Sequence, residues 1–202
     1  MAQATRACLG GDDRVSALRQ PGTRAAVTVT FLRMDRQPGT PARPLPPGAE
    51  LVRLWHPTLP FYRFLYDTVG GPHLWWLRRA MPDGELQVLL RDAAVSVYVL
   101  YRDGEPAGFF ELERRASSVN LSYFGLLPHA VGQGTGGAFL RAAVDTAWQA
   151  DTGALTVNTC TADHPAALPN YLRAGFRPTR TVREIWDIPA RLGLQVPEHL
   201  RC

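Results

Sequence analysis

Residues 119–150 read VNLSYFGLLPHAVGQGTGGAFLRAAVDTAWQA, and this stretch decides the fold. Val119, Leu121 and Tyr123 alternate with Asn120 and Ser122, which is the period of a strand. The apolar run through Phe124, Gly125, Leu126 and Leu127 ends at Pro128, which cannot donate to a ladder. In the loop that follows, Gly132, Gly134, Gly136 and Gly137 lack Cβ atoms, so their backbone N–H groups can approach a ligand closely. Phe139, Leu140, Ala143, Val144, Ala147 and Trp148 then recur at helical spacing and give a helix one apolar face. The first amides of a helix have no intrahelical partner and together carry about half a positive charge. Strand, bare-amide loop and helix therefore predict an anion site, with phosphate as the expected anion.

Two familiar phosphate motifs fit poorly. Gly132, Gly134 and Gly137 satisfy G-x-G-x-x-G, but in a dinucleotide fold that motif follows its strand directly, and residues 128–131 intervene here. That fold also needs an acidic residue at the far end of the next strand. Asp151 precedes the strand expected at 155–159 (LTVNT) instead of ending it. A P-loop is excluded, because no Gly-Lys-Ser/Thr follows and the chain contains no lysine.

A chain of 202 residues, 46% of them hydrophobic, is long enough for one domain with a substantial core. No apolar run approaches the ~20 residues of a membrane span, and no secretory signal is recognisable, so a cytoplasmic location is expected. Cys8, Cys160 and Cys202 form an odd set without metal spacing, and no metal site is expected. The net charge of +4 rests on arginine alone among the basic residues. Arg78-Arg79 and Arg114-Arg115 are the adjacent pairs in an otherwise dispersed set, which reads as solvated surface and argues against a nucleic-acid binder.

Residues 1–24 show no sustained periodicity and read as a disordered leader. A strand is expected at 25–34, a proline-rich connection at 37–48 and a short strand at 49–55. The segment 59–69 (LPFYRFLYDTV) puts Phe61, Leu65 and Thr68 on one helical face, with Tyr62, Tyr66 and Val69 beside it, before Gly70-Gly71-Pro72 ends the helix. Trp75 and Trp76 are adjacent, so on a helix they would point in different directions. One of them is then free to line a pocket. Asp83 is expected to cap a helix over 85–91. Strands at 95–101 and 107–114 flank Asp103-Gly104, a type I′ hairpin signal, and form an antiparallel meander with the organising strand. The strand at 155–159 is reached through the loop helix and should run parallel to its predecessor. A short helix at 166–174, a last strand within 176–188 and a tail at 191–202 complete a single domain over 25–190.

Two motifs resemble the GNAT (GCN5-related) acyltransferase superfamily. The acyl-CoA loop of that family reads Pro-x-x-Arg/Gln-Gly-x-Gly-x-Gly/Ala, and here Pro128-His-Ala-Val131-Gly132-Gln133-Gly134-Thr135-Gly136 is similar, departing at Val131. A register shifted to Gln133 would spoil the spacing from Pro128. Downstream, Ala167-Leu-Pro-Asn-Tyr171-Leu-Arg-Ala-Gly175-Phe176 resembles the family's Ala-x-x-x-Tyr-x-x-x-Gly-Phe. The likeness covers residues 95–186. The strings YFGLLP and TCTADHPAALPNYLRAGF look like one bacterial subgroup, mostly named only as N-acetyltransferases.

The resemblance implies an α/β (α+β) fold with a mixed, mostly antiparallel sheet, helices on both faces and a splayed parallel strand pair as acyl-CoA cleft. It implies acetyl-CoA as acyl donor, with a pantetheine arm along Phe124 and Leu126 and a pyrophosphate on Val131, Gly132, Gln133, Gly134, Thr135, Gly136 and Gly137. It nominates Tyr171 as general acid to the departing thiolate. The acceptor amine must lose a proton. Glu111, on the neighbouring strand, is one candidate base; Asp163 and His164, just past a strand's C-terminal end, are others. The front helices at 59–91 would build the acceptor pocket, where Tyr62, Tyr66, Asp67, Trp75 and Trp76 suit a cationic amine of a small molecule or peptide. A homodimer is compatible with the sequence. The rival class is a non-catalytic acyl-CoA sensor on the same fold.

Overall fold

The computed structural model describes residues 22–41, 44–148 and 152–202, so residues 1–21 of the leader expected over 1–24, and Asp151, lie outside the described residues. Seven strands among them form one sheet: β1 (Gly22–Met34), β2 (Ala49–Leu54), β3 (Val95–Arg102), β4 (Glu105–Arg115), β5 (Ser118–Leu126), β6 (Leu155–Cys160) and β7 (Arg177–Pro189). Their order is β2-β3-β4-β5-β6-β1-β7, and every pairing is antiparallel except β5 with β6. The helices are α1 (Leu59–Gly70), α2 (Leu77–Ala80), α3 (Asp83–Arg91), α4 (Thr135–Ala147) and α5 (Ala167–Arg173). No helix among the described residues is long and apolar enough to cross a membrane.

Strand alternation sorts the core into two layers. On β4, Phe110 joins the cluster under α4 and α5 with Phe139, Leu140, Val144 and Tyr171. Its neighbour Phe109 points the other way, into a cluster with Tyr62, Leu65, Tyr66 and Val69 of α1 and Leu86 and Leu90 of α3. The β3–β4 turn is as expected: Asp103 and Gly104 both have positive φ, as a type I′ turn requires.

Four local expectations are corrected. The buried face of α1 is Tyr62, Leu65, Tyr66 and Val69, with Phe61 only partly covered. Trp75 and Trp76 lie outside any helix, and both pack, Trp75 under α1 and Trp76 against the C-terminal segment. Asp83 opens α3 without capping it, and its carboxylate instead pairs with Arg63 at 2.6 Å. β1 starts at Gly22, and the tail packs Val196 and Leu200 against Ala25, Val27 and Trp186.

The geometry that matters most is a break in the sheet. β5 pairs with β6 at Val119↔Leu155 and Asn120↔Thr156 and no further. Beyond that point each strand keeps its other partner, β5 holding β4 through Gly108↔Leu126 and β6 holding β1 through Val29↔Cys160. The cause lies in the β4–β5 register, which steps from Glu111↔Tyr123 to Leu112↔Leu121 and leaves Ser122 as an extra residue. A bulge bends its strand. It also inverts the alternation, so Tyr123 joins the α1 layer although Val119 and Leu121 face α4.

Candidate active site

A cavity of about 440 Å³ fills the wedge between the diverging strands. One end is the loop before α4: Val131, Gly132, Gly134, Gly136 and Gly137 line it. Gly134 is the N-cap of α4 at φ 74° and Gly132 lies at φ 81°, a left-handed backbone that costs other residues about 1–2 kcal/mol. No atom lies within 4 Å of where a Cβ would stand on either, so conformation rather than crowding requires glycine. The first-turn amides of α4 have no intrahelical partner. No charged side chain occupies that turn. The wall beside β5 is Phe124, Gly125 and Leu126, and Gly125 is needed for closeness, since a Cβ there would meet Val69 Cγ1 at 2.4 Å.

The other end carries titratable groups. Tyr171 of α5 lies on the wall with its ring edge against Phe176 at 5.7 Å. Burial, reinforced by the charge of Asp163, holds its phenol well above the usual value, so it stays protonated. Asp163 closes the turn after β6, where Thr159 Oγ1 and the Cys160 N–H each donate to its Oδ2 at 2.8 Å. Next to it, His164 Nδ1 accepts from the Ala166 N–H at 3.1 Å in the turn before α5. His73, at the end of the 3₁₀ turn Gly71–His73 that follows α1, completes the wall, its ring 6.2 Å from that of His164. Burial pushes the Cys160 thiol up to about 12, so it is not a thiolate nucleophile.

A family model described as an acetyltransferase (GNAT) domain matches residues 76–189. The chain belongs to this family. A GCN5-related N-acetyltransferase from Kribbella flavida is 14% identical, with 82% of this chain and 60% of that one covered and a TM-score of 0.57. The corresponding protein of Sphaerobacter thermophilus is 14% identical, covering 84% and 53% with a TM-score of 0.56. A GNAT-family acetyltransferase of Novosphingobium aromaticivorans is 19% identical, covering 81% and 66% with a TM-score of 0.53. At such identities the likeness is one of fold. The chain spans 53–66% of the length of these three structures. No curated protein matches it.

On this GNAT fold, the wedge brings together Phe124, Leu126, Val131, Gly132, Gly134, Gly136, Gly137, His164 and Tyr171 of the residues expected from sequence. Gln133 and Thr135 are off the wall: Gln133 Nε2 donates to the His129 carbonyl, and the Thr135 hydroxyl is buried without a hydrogen-bond partner. Of the expected acceptor pocket, Trp75 alone lines the cavity. Tyr62 and Tyr66 are core residues, Asp67 pairs with Arg79 at 2.6 Å, and Trp76 is turned towards the C-terminal cluster.

Glu111 also requires correction. It is 0% exposed and absent from the cavity wall. Tyr62 Oη donates to its Oε2 at 2.5 Å and Arg78 Nη2 to its Oε1 at 2.8 Å, so the carboxylate is the centre of a buried network rather than a base facing substrate. Burial lowers the Arg78 guanidinium, but Glu111, together with Tyr123 and Tyr62, outweighs it and holds the group above its usual value. The adjacent Arg78-Arg79 pair is thus two ion pairs, not solvated surface. Sequence reading missed His73, and also Arg102, whose Nη1 donates to Gln133 Oε1 and sets a guanidinium beside the loop. A histidine after a helix and an arginine at a strand end carry no local signal.

Proposed function

We propose that this domain transfers an acetyl group from acetyl-CoA directly to an amine, with Tyr171 as general acid. The observation that carries this reading is that one cavity joins the bare amides of the 131–137 loop to Tyr171 across the gap where β5 and β6 stop pairing. The site suits the donor. Open space over Gly132 and Gly134 and the free first-turn amides of α4 fit a diphosphate. The β5 edge at 124–126, left without a strand partner on the β6 side, fits an amide-bearing arm added like a strand. Bound acetyl-CoA would supply an activated acyl thioester. Tyr171 donates a proton to the departing sulfur, and its raised pKa keeps that proton in place across the physiological range. His73, Trp75 and Asp163 give the acceptor end aromatic walls and one acid, a lining suited to a cationic amine on a small molecule or peptide.

The test is release of free thiol from acetyl-CoA with a panel of amines, amino acids and peptides, against a control without acceptor. Acceptor-dependent release is expected. Binding of acetyl-CoA without release for any acceptor would favour a sensor. Arg102→Ala removes a cation beside the loop and a hydrogen bond holding Gln133. The KM for acetyl-CoA should then rise about 2–10-fold with kcat little changed, the size expected for one lost hydrogen bond or surface charge. High salt should shrink that difference.

A further inference from the structure

Transfer to an amine needs a proton acceptor, and of the groups that sequence put forward Glu111 and the His164 Nδ1 lone pair are engaged elsewhere, while Asp163 is anchored through Oδ2 as the acid of the acceptor end. Glu111 is sealed in its network, Asp163 Oδ2 takes two hydrogen bonds, and His164 Nδ1 is occupied in the turn before α5. His73 differs in geometry. Its Nδ1 lies 3.3 Å from the Ala162 carbonyl, which can only accept, so Nδ1 carries the hydrogen and Nε2 keeps its lone pair. No hydrogen bond from a described residue engages Nε2, and the ring lies on the wall that also carries Tyr171.

We propose that His73 Nε2 is the catalytic base that takes the proton given up by the acceptor amine, the Ala162 carbonyl fixing its tautomer. This rests on the transferase reading above. An acceptor that arrives as ammonium first releases one proton to solvent, which frees its lone pair. As the nitrogen of the neutral amine bonds to the acyl carbon and the carbon–sulfur bond breaks, one remaining N–H proton passes to Nε2 and the Tyr171 proton passes to sulfur. His73 then returns its proton to Tyr171 through solvent, so the cycle balances.

The titratable groups facing His73 from the β6–α5 loop are Asp163 and His164; on α1 and α2, Asp67 and Arg79 pair with each other. Burial lowers the imidazole from its usual value, with Asp163 opposing it. The base works when neutral. Activity is therefore present above the His73 pKa and lost as pH falls through it, below the ordinary histidine range.

The test uses the full chain with acetyl-CoA and phenethylamine, or the amine returned by the screen. His73→Gln should lower kcat at pH 7 by about 10²–10³-fold and abolish the acid limb of the kcat profile, with acetyl-CoA affinity unchanged. His164→Ala should keep that limb. Imidazole nitrogen NMR of the wild type, independent of turnover, should show His73 neutral at pH 7 with its proton on Nδ1. An unaltered profile in His73→Gln, or a proton on Nε2 in the wild type, overturns the role of His73. If His73→Gln fails to fold, His73→Asn and the wild-type spectrum decide. A wild type that releases no thiol with any amine overturns the transferase reading and this role with it, whereas an active wild type matched by His73→Gln overturns this role alone.

Discussion

Tyr171→Phe is expected to lower kcat by about 10²–10⁴-fold while leaving acetyl-CoA affinity and thermal stability close to wild type. The substitution removes one oxygen and keeps the ring. The edge contact with Phe176 at 5.7 Å and the packing of α5 on the sheet therefore survive. If the tyrosine were only a wedge between helix and sheet, turnover would hardly change. The pH dependence gives a second handle. A general acid acts in its protonated form, and burial with the nearby Asp163 charge moves loss of that proton above the ordinary tyrosine range. Any decline in rate between neutral pH and about pH 10 must then come from another group. Steady-state kinetics over that range, with calorimetric titration of acetyl-CoA into both proteins, checks each part.

Glu111→Ala is expected to act on the fold instead. Removing the carboxylate leaves the Arg78 guanidinium, whose side chain is 15% exposed, and the buried Tyr62 hydroxyl facing a dry cavity. Breaking a buried pair from one side costs about 3–5 kcal/mol, equivalent to roughly 10 °C in Tm for a domain of this size. The double variant Glu111→Leu with Arg78→Met should recover most of that loss, because both charges are then gone. A catalytic Glu111 would give the opposite pattern, with stability retained and turnover lost in Glu111→Ala. Thermal melts and turnover of the folded fraction separate the two.

The contrast between these residues explains what the sequence made legible. The meander was readable because its signals are local: alternation on β3 and β4, and an Asp103-Gly104 turn whose positive φ angles only a few residue types tolerate. The 131–137 loop was readable for the same reason, since glycines flanked by a strand and an amphipathic helix permit few structures. Alternation assigns Tyr123 to the face of Val119 and Leu121, and the structure turns it to the other, because one extra residue, Ser122, resets a period of two and nothing in the residue types announces a bulge. The partners of Glu111 lie 49 and 33 positions away, and His73 meets Ala162 across 89. Such contacts come from sheet order, β6 between β5 and β1, which no local pattern encodes. Tyr62 and Tyr66 of α1 are core rather than pocket residues, a distinction that sequence does not carry, because a buried tyrosine and a pocket tyrosine differ only in their neighbours.

The central claim is that the wedge between β5 and β6 grips a CoA diphosphate with main-chain amides and lays the arm along β5. Its most direct test is titration of the isotope-labelled protein with acetyl-CoA, followed through assigned backbone amide resonances. The account predicts saturable shifts concentrated at 131–137 and 124–126, with α3 and β7 unmoved. Absence of saturable shifts, or shifts confined to surfaces away from the wedge, would contradict it.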